Sequence, residues 1–304
     1  MIDLNALPLA RLFEALTADG SFDRLLAAAR REDLSDVGDV TTAAMPDGQR
    51  VVHAAGVART AGTVSGMVAI RGILDAFDCT AKLENAIDDG ATCGAGEVLW
   101  RLHGPIATIL GVERTLLNIV GRMCGIATLT ARYVEAVSGT GCVVCDTRKT
   151  TPGLRALEKY AVRCGGGTLH RVGLHDAVLL KDNHLSHLQP HELPDAVEKA
   201  SSVARARHDL RFVEVEVDDL VQFEKLLDCP DGVIDIILLD NFAPGELRDA
   251  VKSRDSRRPD LLLEASGGIV LERIADVAQT GVDRISVGAL THAASSLDIG
   301  LEVT

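Results

Sequence analysis

The chain has 304 residues, 47% of them hydrophobic and 25% charged, which excludes a disordered, collagenous or coiled-coil protein and provides for two domains or a barrel with an addition. Lys and Arg number 31 against 44 Asp and Glu, a formal charge of −13 that argues against a binder of nucleic-acid backbones, and nine aromatic residues leave little for base stacking. No apolar run reaches the roughly 18 residues that span a bilayer, and residues 1–11 carry Asp3 and no basic stretch, so neither membrane nor secretion is expected and the location reads as cytoplasmic.

In chain order, residues 8–16 and 24–30 have helical periodicity, and residues 57–72 and 90–102 are glycine-spaced and β-branched. Together they predict an amino-terminal α/β sandwich over residues 1–112, joined by residues 291–304. The run GATCGAGEVL at residues 90–99 is similar to a lipoyl- or biotinyl-type sandwich, but no lysine stands at its tip, so a carrier role is not expected. A linking helix is predicted to start near Val112, with Glu113 suited to the positive end of its dipole.

From there the pattern alternates. Strands are predicted at residues 142–145, 177–180, 212–217, 233–239, 261–263 and 284–287, and helices at 154–163, 192–205, 218–227, 244–253 and 270–280. A repeated βα unit with no GxGxxG motif fits an incomplete (β/α) barrel of parallel strands, over residues 113–290, better than a dinucleotide-binding sheet.

Residues capable of chemistry follow the predicted strands. Asp146, Thr147, Arg148 and Lys149 follow the first, His170 and Arg171 come after the triple glycine at 165–167, and Lys181 follows the second strand. Residues 114–184 hold ten basic and five acidic residues, a basic island in an acidic chain. Guanidinium forks and ammonium groups at this density suit several anionic groups bound at once. Ser266, Gly267 and Gly268 after the fifth strand and Gly288 after the sixth supply backbone N–H groups for a phosphate. In Val213-Glu214-Val215-Glu216-Val217 alternation puts both glutamates on one face, and Asp240 ends the apolar fourth strand. Such carboxylates suit Mg²⁺ shared with substrate oxygens, or a cationic transition state, and Glu214 is equally readable as a buried ion-pair partner.

Other chemistries lack their motifs: there is no GxSxG, Walker A, HExxH or paired CxxC pattern. The seven cysteines form no disulfide framework, and Cys142 and Cys145 on one strand should face opposite ways as buried small residues. His184, His187 and His191, with Pro190 among them, read as a surface loop rather than a metal site.

The motifs GDVTT (38–42), RTLLN (114–118), GIAT (125–128), DTRKTTPGLRALEKYAVRCGGG (146–167), His170-Arg171 with Gly173, KDNH (181–184), VEVEV (213–217), LDNF (239–242), EASGGI (264–269) and SVGALTH (286–292) are spread along nearly the whole chain. By these motifs the chain resembles the quinolinate phosphoribosyltransferase family. Departures are small: Val172 and His175 stand where Met and Tyr are usual, and the segment around residues 229–232 is three residues longer and should be a surface loop. The resemblance implies an amino-terminal sandwich with an incomplete barrel, dimers or larger assemblies, and conversion of quinolinate and phosphoribosyl pyrophosphate to nicotinate mononucleotide, CO₂ and pyrophosphate, with Mg²⁺ and no organic cofactor. It implies that Arg114 (from the partner subunit), Arg148, His170, Arg171 and Lys181 hold the quinolinate carboxylates, with Thr147 nearby. Lys149, Glu216 and Asp240 would face ribose, pyrophosphate and Mg²⁺, the two acids meeting the ion directly or through water. Ser266, Gly267, Gly268, Gly288 and His292 would hold the 5′-phosphate, and the catalytic set would be Lys149, Lys181, Glu216 and Asp240. Rival readings are a transferase for nicotinate or another monoacid, a pyrophosphorylase-like protein associated with molybdate transport, and a non-catalytic sensor of a diacid or sugar phosphate. Three cations at Arg148, Arg171 and Lys181 favour a dicarboxylate, and retained acids disfavour a pure anion sensor.

Overall fold

The structure is a computed structural model describing residues 2–304; Met1, where the predicted amino-terminal domain begins, lies outside the described residues. Its strands are β1 (Val51–Ala58), β2 (Gly62–Thr63), β3 (Lys82–Ala86), β4 (Thr92–Cys93), β5 (Val98–Pro105), β6 (Val143–Cys145), β7 (Val178–Leu180), β8 (Val213–Val217), β9 (Ile236–Asp240), β10 (Leu262–Ser266), β11 (Arg284–Ser286) and β12 (Ile299–Val303). The chain falls into two compact units. One comprises Leu4–Ala131, Thr150–Gly166 and Leu290–Thr304, the other Arg132–Lys149 and Gly167–Ala289 with Ile2 and Asp3.

The first unit is built on an antiparallel sheet in the order β12-β1-β5-β3, with a separate β2-β4 pair. Buried Leu99, Trp100 and Leu102 of β5 and Val52 and Ala54 of β1 form its core. Gly56 on β1 carries no side chain because Trp100 fills the space: a Cβ there would lie 2.2 Å from the indole ring. The expected strand signal over residues 57–72 is partly corrected. The strand begins earlier, at Val51, and Ile70–Ala76 is a helix burying Ile70, Ile73 and Leu74. The linking helix also starts earlier than predicted, at Ile106, running to Ala136. Its first turn follows β5 directly, and the N–H groups of Ile106 and Ala107 donate to the carbonyls of Arg50 and Gly48, so no capping side chain is needed.

The second unit holds the parallel sheet, in the order β6-β11-β10-β9-β8-β7. This is the order of a barrel of consecutive βα units opened at one seam, between β6 and β7. The helix after β6, Arg155–Cys164, belongs to the first unit, whereas Leu193–Arg207, Leu220–Leu226, Pro244–Arg257 and Leu271–Ala278 belong to the barrel unit. Strand β8 is buried throughout and β9 up to its last residue, as a sheet covered on both faces requires. The predicted surface loop is present, with Pro230, Asp231 and Gly232 exposed. All strands run in parallel, so their carboxyl ends share one edge.

Candidate active site

The cationic side of that edge is assembled by buried hydrogen bonds. Asp146, fully buried after β6, accepts the His170 N–H at 2.8 Å and donates its own N–H to the Thr168 carbonyl at 3.0 Å. Asp176 accepts the N–H groups of Val172 and Gly173, each at 2.8 Å, and pairs with Arg211 at 3.3 Å. Burial alone would raise the pKa of Asp176, but these donors outweigh it and hold the carboxyl below its ordinary value. The loop 170–176 is thereby fixed, with Arg171 7% exposed. Burial and the adjacent Arg148 guanidinium both lower the pKa of Arg171, so two like charges are held together. The Nε of Arg148 is buried without a hydrogen-bond partner, while Thr147 turns its hydroxyl to the Lys149 N–H at 3.0 Å.

Lys181, at the end of β7, is in direct contact with the Glu216 carboxylate of β8. Pairing of Leu180 with Val215 makes the contact a consequence of register, because it sets the next residues of the two strands level. Glu216 is 8% exposed and Glu214 wholly buried, so alternation did place both inside, and depth separates them. Burial and the neighbouring carboxylates of Asp182 and Asp240 raise the pKa of Asp218, marking an acidic sector beside Lys181. Glu216, Asp182 and Asp218 also line a small recess there.

The remaining strand ends present backbone. Ser266 is paired in register with Asp240, and Gly267 and Gly268 follow with φ of +94° and +57°, before the helix Leu271–Ala278. Gly288 follows β11, whose Ser286 is buried. Two expected site residues belong to the other unit. Arg114 is exposed on the helix Ile106–Ala136, and His292 is exposed at the end of the short helix Ala289–His292.

His170 faces inward. Its Nδ1 accepts the Arg171 N–H at 2.7 Å, and its Nε2 lies 2.8 Å from Glu214 and 3.5 Å from Glu264, so both ring nitrogens are engaged within the protein. Glu264 is also held by Arg284 at 2.7 Å, and Phe212 meets the His170 ring edge-on with centroids 5.3 Å apart. Burial opposes a charge on His170, and Glu264 and Glu214 outweigh it to raise the pKa. Burial would raise Glu264 too, yet His170 and Arg284 lower it, while burial and the Glu264 charge raise Glu214. Among the described residues, His170, Glu214 and Glu264 are the one His/Cys/Asp/Glu group converging within 4.8 Å. Arg284 already supplies a cation there. Glu216 and Asp240, the expected Mg²⁺ ligands, form no such cage; as hard oxygen donors they fit an octahedral ion that keeps most of its ligands from substrate and water.

Glu264, Arg284, Phe212 and Asp176 went unread in the sequence, because strand register and loop closure bring them into place. The alternation that found Glu214 and Glu216 was available for Glu264 and Ser266, and again for Arg284 and Ser286. The cysteines are free and buried, with burial pushing the Cys142 thiol up to about 12. His184 accepts the Lys181 N–H through Nδ1 at 2.9 Å and thereby closes a turn.

Comparison with known proteins matches residues 126–302 to the quinolinate phosphoribosyl transferase C-terminal domain and residues 39–124 to the N-terminal domain. The chain is 42% identical over 294 residues to the carboxylating nicotinate-nucleotide pyrophosphorylase of Mycobacterium leprae (strain TN), covering 95% of this chain and 100% of that protein. It is 38% identical over 273 residues to the probable enzyme of that name from Bacillus subtilis (strain 168), covering 90% of each. The solved nicotinate-nucleotide pyrophosphorylase from Francisella tularensis superposes with a TM-score of 0.83 at 31% identity, each chain fully covered.

Proposed function

The chain belongs to the quinolinate phosphoribosyltransferase family, and from that premise we propose how its residues divide the work of the family's reaction. The reaction is phosphoribosyl transfer from phosphoribosyl pyrophosphate to quinolinate with decarboxylation, giving nicotinate mononucleotide, CO₂ and pyrophosphate in NAD biosynthesis. The observation that carries our assignment is that buried Arg171 stands beside half-buried Arg148, whose Nε is itself buried without a hydrogen-bond partner and whose charge lowers the pKa of Arg171. Two neighbouring cations in a partly desolvated place are costly until an anion lies between them, and a pyridine dicarboxylate supplies two carboxylates.

Arg148, Arg171 and Lys181 hold those carboxylates, with Thr147 alongside and His170 supporting Arg171 from within. Arg114 reaches the site of a second copy of the chain in a homodimer or larger assembly, a role its exposure supports. Lys149, Glu216 and Asp240 face the ribose and pyrophosphate, and the turns at Ser266–Gly268 and Gly288, with His292, face the 5′-phosphate. Mg²⁺ at Glu216 and Asp240 would neutralise charge on the departing pyrophosphate.

As the bond from the anomeric carbon to pyrophosphate breaks, positive charge gathers on the ribose, and Glu216 and Asp240 stabilise it while the pyridine nitrogen attacks. The ring nitrogen is then cationic. Its positive charge stabilises the electron pair left in the ring plane on the adjacent carbon when the carboxylate leaves as CO₂, and that pair then takes up a proton, so the chemistry proceeds without an organic cofactor. Orientation and charge placement are the protein's main contribution. Free, buried thiols support work in a reducing cytoplasm, and no helix of the described residues is long and apolar enough to cross a membrane.

The test is turnover with quinolinate, phosphoribosyl pyrophosphate and Mg²⁺, following CO₂ and pyrophosphate together, with nicotinate as the comparison substrate. Equal release of both products with quinolinate alone is expected. Pyrophosphate release with nicotinate and none with quinolinate would overturn the assignment.

A further inference from the structure

Three non-glycine residues among those described have a left-handed backbone: Ser35, Asp78 and Asn241. Ser35 and Asp78 stand just past the helices Ser21–Leu34 and Ile70–Ala76, where a positive φ accompanies the end of the helix. Asn241 instead follows the central strand β9, at φ +58°. A strained residue at the carboxyl end of a barrel strand calls for a functional reason.

Its contacts supply one. The Asn241 Nδ2 donates to Oδ2 of Asp240 at 2.7 Å, and its backbone N–H donates to the Ser266 carbonyl at 2.9 Å. The side chain also lies across the next turn: a Cβ on Gly267 would stand 2.2 Å from Asn241 Oδ1 and 2.5 Å from its Cγ. Gly267 is therefore bare where Asn241 crosses it.

We propose that Asn241 is a positioning residue that aims the Asp240 carboxylate and locks it to the Ser266–Gly268 turn, so that the groups facing ribose and 5′-phosphate move as one body. The residue type follows from two demands. Only Gly, Asn and Asp enter the left-handed region readily. Gly has no donor for the carboxylate, and Asp would set a second negative charge against it, so Asn alone meets both. By holding Oδ2, the amide leaves Oδ1 to meet the substrate or its ion. This inference rests on the assignment of Asp240 to phosphoribosyl pyrophosphate.

The experiment compares N241G, N241D and D240N with the unaltered protein by calorimetric binding of phosphoribosyl pyrophosphate with Mg²⁺ and of quinolinate, by KM and kcat, and by thermal midpoint. N241G relieves the backbone while removing the amide. It is expected to keep its thermal midpoint and its quinolinate affinity, and to bind phosphoribosyl pyrophosphate about tenfold more weakly, the scale of one hydrogen bond to a charged group. Binding within about twofold of the unaltered protein, the scatter expected of a neutral change, would overturn the proposal. Should N241G fail to fold, N241D keeps the side-chain shape and decides by the same readout. D240N separates the two claims: weakened binding by D240N with none by N241G overturns the positioning role alone, whereas unchanged binding by D240N overturns the assignment of Asp240 beneath it.

Discussion

The β6–β7 sector of the barrel edge carries side-chain cations, whereas the β9–β10 sector carries turns of positive φ at Asn241, Gly267 and Gly268. In the first sector the scaffold holds like charges together: Asp146 and Asp176 fix the loop that buries Arg171 beside Arg148. In the second it holds the chain in conformations that favour glycine, at Gly267 and Gly268. Between them the Lys181–Glu216 pair joins a cation of one sector to an acid of the next. Charged forks suit planar carboxylates and bare backbone suits a phosphate, so in the proposed division one edge would sort two ligands that are both anionic.

The division can be broken most sharply at Glu216. Glu216→Gln keeps a contact for Lys181 and removes the charge, so kcat should fall about 10²–10³-fold, the scale of losing one electrostatic stabiliser, while quinolinate affinity stays within about threefold by calorimetry. A loss that appears chiefly as weakened quinolinate binding would merge the sectors. On the cationic side, Asp176→Asn should cost about 1–3 kcal/mol of stability at pH 7 by releasing buried donors. Because the folded-state pKa lies below the ordinary 3.8, this stabilisation is complete above the ordinary value and is lost as pH falls through the lower one. Denaturant unfolding of both proteins from pH 7 to pH 3 should therefore show the difference shrinking in acid, and a constant difference would remove the charge from the explanation. The smallest effect is expected at Gly267→Ala. Its Cβ meets Asn241 at φ +94°, which should raise the KM for phosphoribosyl pyrophosphate about tenfold, or roughly 1.4 kcal/mol. An equal rise in the KM for quinolinate would show that the turn serves both sectors.

The barrel strands were legible because apolar residues dominate them up to a polar end, even where Glu214, Glu264 and Arg284 interrupt, and the expected site residues cluster at those ends. What was missed depended on partners far along the chain. Strand β3, Lys82–Ala86, is almost wholly exposed and so lacks an apolar signal. The turn before the helix Ile70–Ala76 is set by Asp89, whose carboxylate accepts the N–H groups of Met67 and Val68 at 2.9 and 3.1 Å. The start at Ile106 has its N–H groups satisfied by carbonyls of residues 48 and 50, so Glu113 offered a start signal where none was needed. At the site, alternation put Glu214 and Glu216 on one face, but only the register of β8 to β11 shows Glu214 joined to His170 and Glu264 in the interior. The inward turn of His170 was likewise illegible, since it depends on the Arg171 N–H and on glutamates from two other strands.

The most direct test of the two-sector account is calorimetry of Arg148→Ala with each ligand separately. Quinolinate binding should weaken by about 10–100-fold, the worth of a charge-assisted contact, while binding of phosphoribosyl pyrophosphate with Mg²⁺ stays within about threefold. Equal losses for the two ligands would contradict the division of the barrel edge.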